Sequence, residues 1–250
     1  MRQRFCFLSM LAWGILLLLS GTPVGGLRAL GQAPATTWEY DQRDLRGWKL
    51  KIRRELKDQE PERLAEALEI LDKQLGEIER VLPEPAIVKL RQITLWFSQT
   101  YANQQPRAEY HPGAGWLQEH GRDPAMAKGI EFTNIGIFEK EYRRMPNFAL
   151  HELAHAYHDQ FLDQGFGNPK VQEAFTLAKS AGSYDRVEQR FGDGRSTTTR
   201  AYAMSNPAEY FAETTEAYFS TNDFFPFTRE QLEKHDPQMA ELLSKLWEPK

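Results

Sequence analysis

Cysteine is nearly absent: the 250 residues contain one, Cys6. It lies in an N-terminal segment expected to be removed, so no disulfide framework and no thiol catalysis can be built on it. A surplus of basic charge is missing too. Lys and Arg number 31 against 35 Asp and Glu, a net charge of −4, and loss of a leader carrying Arg2, Arg4 and Arg28 takes it to −7. Such a chain offers no electrostatic footprint for nucleic acid or an anionic membrane surface. Internal repeats and low-complexity blocks are also lacking. Long apolar runs are confined to one, Phe5 to Leu19, which follows Arg2 and Arg4 and precedes small, turn-prone residues up to about Ala35. It is short for a membrane span, and Ala29, Gly31 and Ala33 suit a signal peptidase. Residues 1–31 are expected to be a signal peptide and 32–37 a linker, in a secreted or periplasmic protein; the alternative is an uncleaved N-terminal anchor.

What remains has the composition of an ordinary globular protein, and one domain over 38–250 is expected. Trp48, Leu50 and Ile52 alternate with Lys49, Lys51 and Arg53, the pattern of a half-buried strand. From Pro61 to Val81 leucines recur at helical spacing. "VKLRQITLWF" and "GIEFTNIGIF" read as further strands, separated by a long turn-rich loop, 101–128. After Met145 the pattern is helical over 146–162, 169–181, 207–219 and 229–247. Strands first and helices after is an α+β order.

The chemistry lies in "HELAHAYHDQ", 151–160. On a helix His151 and His155 share one face, and two imidazoles there can reach one Zn²⁺. Glu152, beside the first ligand, can touch a water without binding the metal, as a general base does. The five-residue spacing alone leaves a polar, hydrogen-bonded helix face equally open. A catalytic zinc needs a third ligand and an open position. His158 lies about 10 Å along the axis from His151 and does not suit that role; an outer-shell role fits it better, and Asp159 can orient His155. The better source is "NPAEYFAETTEAYF", where Asn206 caps a helix with Pro207 at its first position. Glu209 and Glu213 stand there among apolar and aromatic residues, costly unless paired or bound to metal; Glu216 reads as part of a solvated stripe.

Together, His151-Glu152-Leu153-Ala154-His155 and the run from Tyr202 through Asn206 and Glu209 to Glu213 resemble the zinc metallopeptidase domain of the anthrax lethal factor type, within the gluzincins. The resemblance covers roughly 130–219. It implies a zincin-like fold, a small mixed sheet packed on helices, with one zinc per chain held by His151, His155 and Glu209. Tyr202, seven residues before Glu209, would assist catalysis. Glu213 is assigned to an outer shell, holding a histidine ligand through its free ring nitrogen. The comparable edge strand in gluzincins pairs with an extended substrate, which nominates Glu131 to Gly136, with Asn134 between them; the alternative is a buried inner strand.

The reading is an exported zinc metalloendopeptidase acting on a peptide or protein substrate, with no nucleic-acid partner and no membrane contact after leader cleavage. Its alternatives are a secreted zinc-binding module without turnover and a zinc amidase acting on cell-wall peptides. His111 and His120 in the long loop, and His235 near a helix end, read as surface residues. Residues 191–200 read as a turn-rich flap before Tyr202.

Overall fold

The computed structural model describes residues 38–247; the expected signal peptide, the linker and Cys6 lie outside that range. Strand β1 (Tyr40–Leu45) and strand β2 (Trp48–Arg53) form an antiparallel hairpin. Its two turn residues, Arg46 and Gly47, both have positive φ, 54° and 83°, as a tight twisted hairpin turn requires. Arg46 is held by Asp72 and Glu79 at 2.9 and 3.0 Å. On β2, Trp48, Leu50 and Ile52 are buried, as their alternation predicts.

Helix α1 (Arg54–Gln59) leads into helix α2 (Pro61–Val81), which buries Leu64, Ala67, Leu71, Leu75 and Ile78 at spacings of three and four. The strand expected at "VKLRQITLWF" is shorter than its apolar content suggests. Pro83 and Glu84 start helix α3 (Glu84–Leu90), so Ile87 and Leu90 enter the core from a helix, and only Leu95–Phe97 form strand β3. The loop of 101–128 is not structureless: it holds strand β4 (Ala108–Tyr110) and helix α4 (Ala114–Glu119). Strand β5 keeps only Ile130–Phe132 of the expected ten residues, because the chain turns at Asn134 into a 3₁₀ turn and helix α5 (Phe138–Arg144).

The sheet order is β1-β2-β3-β5-β4, with β2, β3 and β5 parallel and the outer strands antiparallel to their neighbours. Helix α6 (Phe148–Phe161) packs on α2, α3, β4 and β5. Its start is fixed by buried polar contacts: Asn147 Oδ1 accepts the Leu150 N–H at 3.1 Å, Asn147 Nδ2 donates to Gln74 O, and Gln74 Nε2 donates to Pro146 O. Ala, Leu and Phe fill the rest of its turns, so nearly the whole helix can be buried.

Helix α7 (Pro169–Ala181) is followed by a two-stranded hairpin, β6 (Val187–Arg190) and β7 (Ser196–Thr199). Helix α8 (Pro207–Phe219) lies against α6, and Asn206 Oδ1 caps it by accepting the Ala208 and Glu209 N–H groups at 2.9 and 3.0 Å. The helix expected over 229–247 is divided into α9 (Arg229–His235) and α10 (Pro237–Trp247). Pro237 disfavours a helical residue before it, and Asp236 there caps the second helix through the Met239 N–H. Among the described residues no helix is long and apolar enough to cross a membrane. The architecture is a small mixed sheet with helices.

Candidate metal centre

Helices α6 and α8 bring three side chains to one point. His151 Nε2 and His155 Nε2 are 3.1 Å apart, and Glu209 Oε2 lies 3.2 Å from the first and 3.3 Å from the second. Four ligands placed tetrahedrally at zinc–ligand distances of 2.0–2.1 Å stand about 3.3 Å from one another. The triangle therefore has the size of three corners of such a site.

The donor chemistry agrees. His151 Nδ1 is 2.5 Å from Glu216 Oε1, a partner that holds a ring proton on that side, so that release of the other proton to make way for a metal would leave Nε2 as the lone-pair donor. Two imidazole nitrogens and a carboxylate oxygen then converge, a set suited to a divalent cation. Burial alone would push His151 toward its neutral form, but Glu216, Glu209 and Glu152 outweigh it and raise its pKa well above the ordinary value. Burial likewise opposes ionisation of Glu209, yet its hydrogen bonds with His151 and His155 prevail and hold it well below the usual carboxylate range.

Glu152 takes no part in the triangle. Its Oε2 accepts the main-chain N–H of Tyr110 at 2.8 Å. The Tyr202 hydroxyl is 3.4 Å from Glu209 Oε1 on the open side, where the tyrosine is half-exposed. Burial and the Glu209 carboxylate push its pKa up to about 12, so at neutral pH it is a phenol with a proton to donate. These residues border a cleft of about 510 Å³, lined also by Ala108, Tyr110, Met145, Gln189 and Phe224. A larger cavity of about 620 Å³ between β1 and α2 holds no convergent ligating groups, so volume does not mark the site.

Several expected roles change. Glu213 does not hold His151: its Oε1 is 3.9 Å from Nδ1, while its Oε2 accepts from Asn222 Nδ2 at 3.1 Å. That place belongs to Glu216, fully buried rather than part of a solvated stripe. The imidazole spans two turns of α8, with Nε2 at Glu209 and Nδ1 at Glu216. Burial pushes the Glu216 carboxyl up to about 7, against the pull of His151. Burial and the adjacent Glu216 raise Glu213 well above the ordinary value. The seven-residue interval from Glu209 to Glu216 puts both acids on one face of α8, the signal in the sequence for this pairing.

His158 is not in an outer shell. It is fully buried between Phe166 and Phe211, ring centres 5.2 and 4.8 Å away, and neither ring nitrogen has a partner. Asp159 does not orient His155; its Oδ2 accepts from the Tyr110 hydroxyl at 2.6 Å and from Lys128 Nζ at 2.5 Å.

Glu131, Asn134 and Gly136 do not line the cleft either. β5 is an inner strand, flanked by β3 and β4, and the edge is β4. Glu131 is wholly buried, accepting from the Tyr101 hydroxyl at 2.6 Å, His111 Nε2 at 2.9 Å and Arg122 at 2.9 Å. Asn134 is buried, and Gly136 is exposed beside Arg63. His111 is thereby a core residue and not a surface one, and Glu109 and Glu131 already share the Arg122 guanidinium as their cation, with His111 on Glu131. His120 is exposed and stacked on Trp116 at 4.0 Å. His235 is half-buried, its ring edge against Tyr184 and Phe225. The segment 191–200 forms the tip and second strand of the β6–β7 hairpin.

Residues 137–248 match the model of a family described as glucose-regulated metallo-peptidase M90. No curated protein and no solved structure matches the chain. The matched span carries His151, Glu152, His155, Tyr202 and Glu209, and it supports a metallopeptidase: a hydrolase that needs a metal ion and acts on peptides or proteins.

Proposed function

We propose that the protein is an exported zinc endopeptidase of the gluzincin kind, with His151, His155 and Glu209 as metal ligands, Glu152 as general base and Tyr202 as a donor to the developing negative charge. The observation that carries the reading is the triangle of Nε2, Nε2 and Oε2 atoms, 3.1 to 3.3 Å on a side, with a carboxylate that is not one of its corners, Glu152, and a phenol, Tyr202, lining the same cleft. A closed structural site has no use for either of the last two groups. When bound, zinc would supply a Lewis acid that lowers the pKa of a water and polarises the scissile carbonyl.

The chain's own groups do the rest. Glu152 takes the proton of the attacking water and returns it to the leaving nitrogen. Tyr202, protonated at neutral pH, donates a hydrogen bond to the carbonyl oxygen as charge builds on it. β4 is the edge at which an extended substrate would pair. Ile130 N and Phe132 O bond toward β3, to Thr94 O and Ser98 N, so Glu109 is the residue that bonds Glu131; Ala108 N–H and C=O and Tyr110 C=O face away from the sheet for a substrate strand, while Tyr110 N–H on that side is taken by Glu152.

The test is zinc content of the purified chain, with cleavage of a mixed peptide library, in the wild type and in Glu209→Ala and Glu152→Gln. The expected result is about one zinc per chain, lost in Glu209→Ala, and cleavage abolished in Glu152→Gln with metal retained. Full zinc retention by Glu209→Ala would refute the ligand set, and stoichiometric zinc without cleavage would refute the peptidase.

A further inference from the structure

Three contacts join Tyr110 to the metal-bearing helix. Its main-chain N–H donates to Glu152 Oε2 at 2.8 Å, its hydroxyl donates to Asp159 Oδ2 at 2.6 Å, and Gln160 Nε2 donates to that hydroxyl at 3.0 Å. Glu152 and Asp159 are seven residues apart on one face of α6, about 10 Å along its axis. Tyr110 therefore lies along two turns of the helix as a strut, with His155 between its two ends.

The far end of the strut is anchored independently of Tyr110. Gln160 Nε2 also donates to Lys128 O at 3.1 Å, Lys128 Nζ reaches the same Asp159 oxygen, and the Lys128 N–H donates to His111 O at 2.7 Å. His111, the residue after β4, is thus tied through Lys128 to the same two side chains. On the other face of the sheet, Arg122 holds Glu109 at 2.6 Å. The strand is pinned on both faces at the height of residue 110.

Simple adhesion of strand to helix would need only the phenol. The N–H is different: it points away from β5, toward the cleft, and it is spent on the carboxylate proposed to move protons. A main-chain donor cannot swing as a side chain can, so one carboxylate oxygen is fixed in place while the other remains for proton transfer. A misplacement of about 1 Å in such a group costs on the order of 100-fold in rate.

We infer that Tyr110 is a positioning residue for the general base: its N–H fixes Glu152, and its phenol, locked to Asp159 and Gln160, fixes that N–H. The inference rests on the reading of Glu152 as the base. It assigns to the chain outside 137–248 a direct part in the chemistry of residues within it.

The experiment has a kinetic arm and a hydrogen-exchange arm, both on the full chain. Tyr110→Phe and Asp159→Ala are expected to keep zinc and a KM within about twofold of wild type while kcat falls roughly 10–100-fold. The double variant should fall no further than either single one. In the exchange arm the amide of residue 110 is followed by NMR, and Glu152→Ala is expected to speed its exchange roughly 10–100-fold, as loss of a bond to a charged acceptor should. Gln160→Ala carries the kinetic arm if Tyr110→Phe fails to fold. Wild-type kcat in Tyr110→Phe, loss of zinc in it, or unchanged protection of residue 110 in Glu152→Ala would each overturn the inference. A wild type that binds zinc and cleaves nothing would instead bring down the peptidase reading, and the exchange arm would still decide whether Tyr110 holds Glu152.

Discussion

His151 Nδ1 and Glu216 Oε1 stand 2.5 Å apart with both side chains buried, so the first histidine of the motif is held from behind by the last acid of α8. The acid three residues earlier, Glu213, faces Asn222 instead. Glu216→Gln is therefore expected to weaken zinc binding by roughly 10–100-fold, in the range of partners that orient a metal-bound imidazole. Glu213→Gln should weaken it less. Competition against a chelator ranks the two, and the reverse order would contradict the geometry.

Tyr202→Phe should separate binding from turnover. The hydroxyl lies on the open side of the triangle, 3.4 Å from Glu209 Oε1, and makes no contact on which the two histidines depend. Zinc content is expected to stay at the wild-type value while kcat drops by about 100–1,000-fold, the effect of losing one donor to a developing oxyanion. An unchanged kcat would remove Tyr202 from the mechanism.

Arg122 is buried with Glu109 and Glu131 at 2.6 and 2.9 Å and sits between the rings of Tyr101 and Trp116. Arg122→Ala strands the buried Glu131 and the half-buried Glu109 without their cation, which should cost about 3–5 kcal/mol of stability. Urea unfolding measures the loss. A change below 1 kcal/mol would mean that water reaches the acids in place of the guanidinium.

His158 gives a pH signature. Burial, reinforced by nearby His155, pushes its pKa down to about 4 from an ordinary 6.5. Between those values the unfolded chain binds a proton at this residue that the folded chain refuses. Stability from this site is thus complete above pH 6.5 and lost as pH falls to about 4, by up to roughly 3 kcal/mol. His158→Leu should flatten that part of the acid limb and leave zinc binding intact, as equilibrium unfolding across pH 4–7 would show. Loss of zinc in the same variant would give His158 a part in holding the metal.

What the sequence made legible follows from which signals are local. Asn206 and Pro207 announce α8, and the leucine spacing after Pro61 announces α2, because caps and periodicity act within a few residues. His151, His155 and Glu209 could be nominated for the same reason: each sits on a helix whose register is readable. The strands were harder. β3, β4 and β5 have three residues each, too few for an alternation to register, and apolar residues near them belong to α3 and α5. The edge position of β4 is a matter of sheet order, to which "AEY" contributes no local signal. Pairings such as Glu131 with Arg122, or Glu216 with His151, are fixed by tertiary contacts, so Glu131 was nominated for the cleft and Glu216 for solvent.

The separation of His155 from Glu209 has a mechanical consequence. Fifty-three residues lie between them, 156–208, and they include α7 and the β6–β7 hairpin. An ion gripping both ends would close that stretch into a ring, as a cross-link does, and withdraw conformational freedom from it in the unfolded chain. Chelation should therefore loosen this part of the molecule ahead of the sheet. Limited proteolysis after chelation is expected to nick the hairpin near Gly192 and Gly194 while 38–132 stays whole, tying the chain's resistance to proteases to the same ion that would serve its catalysis.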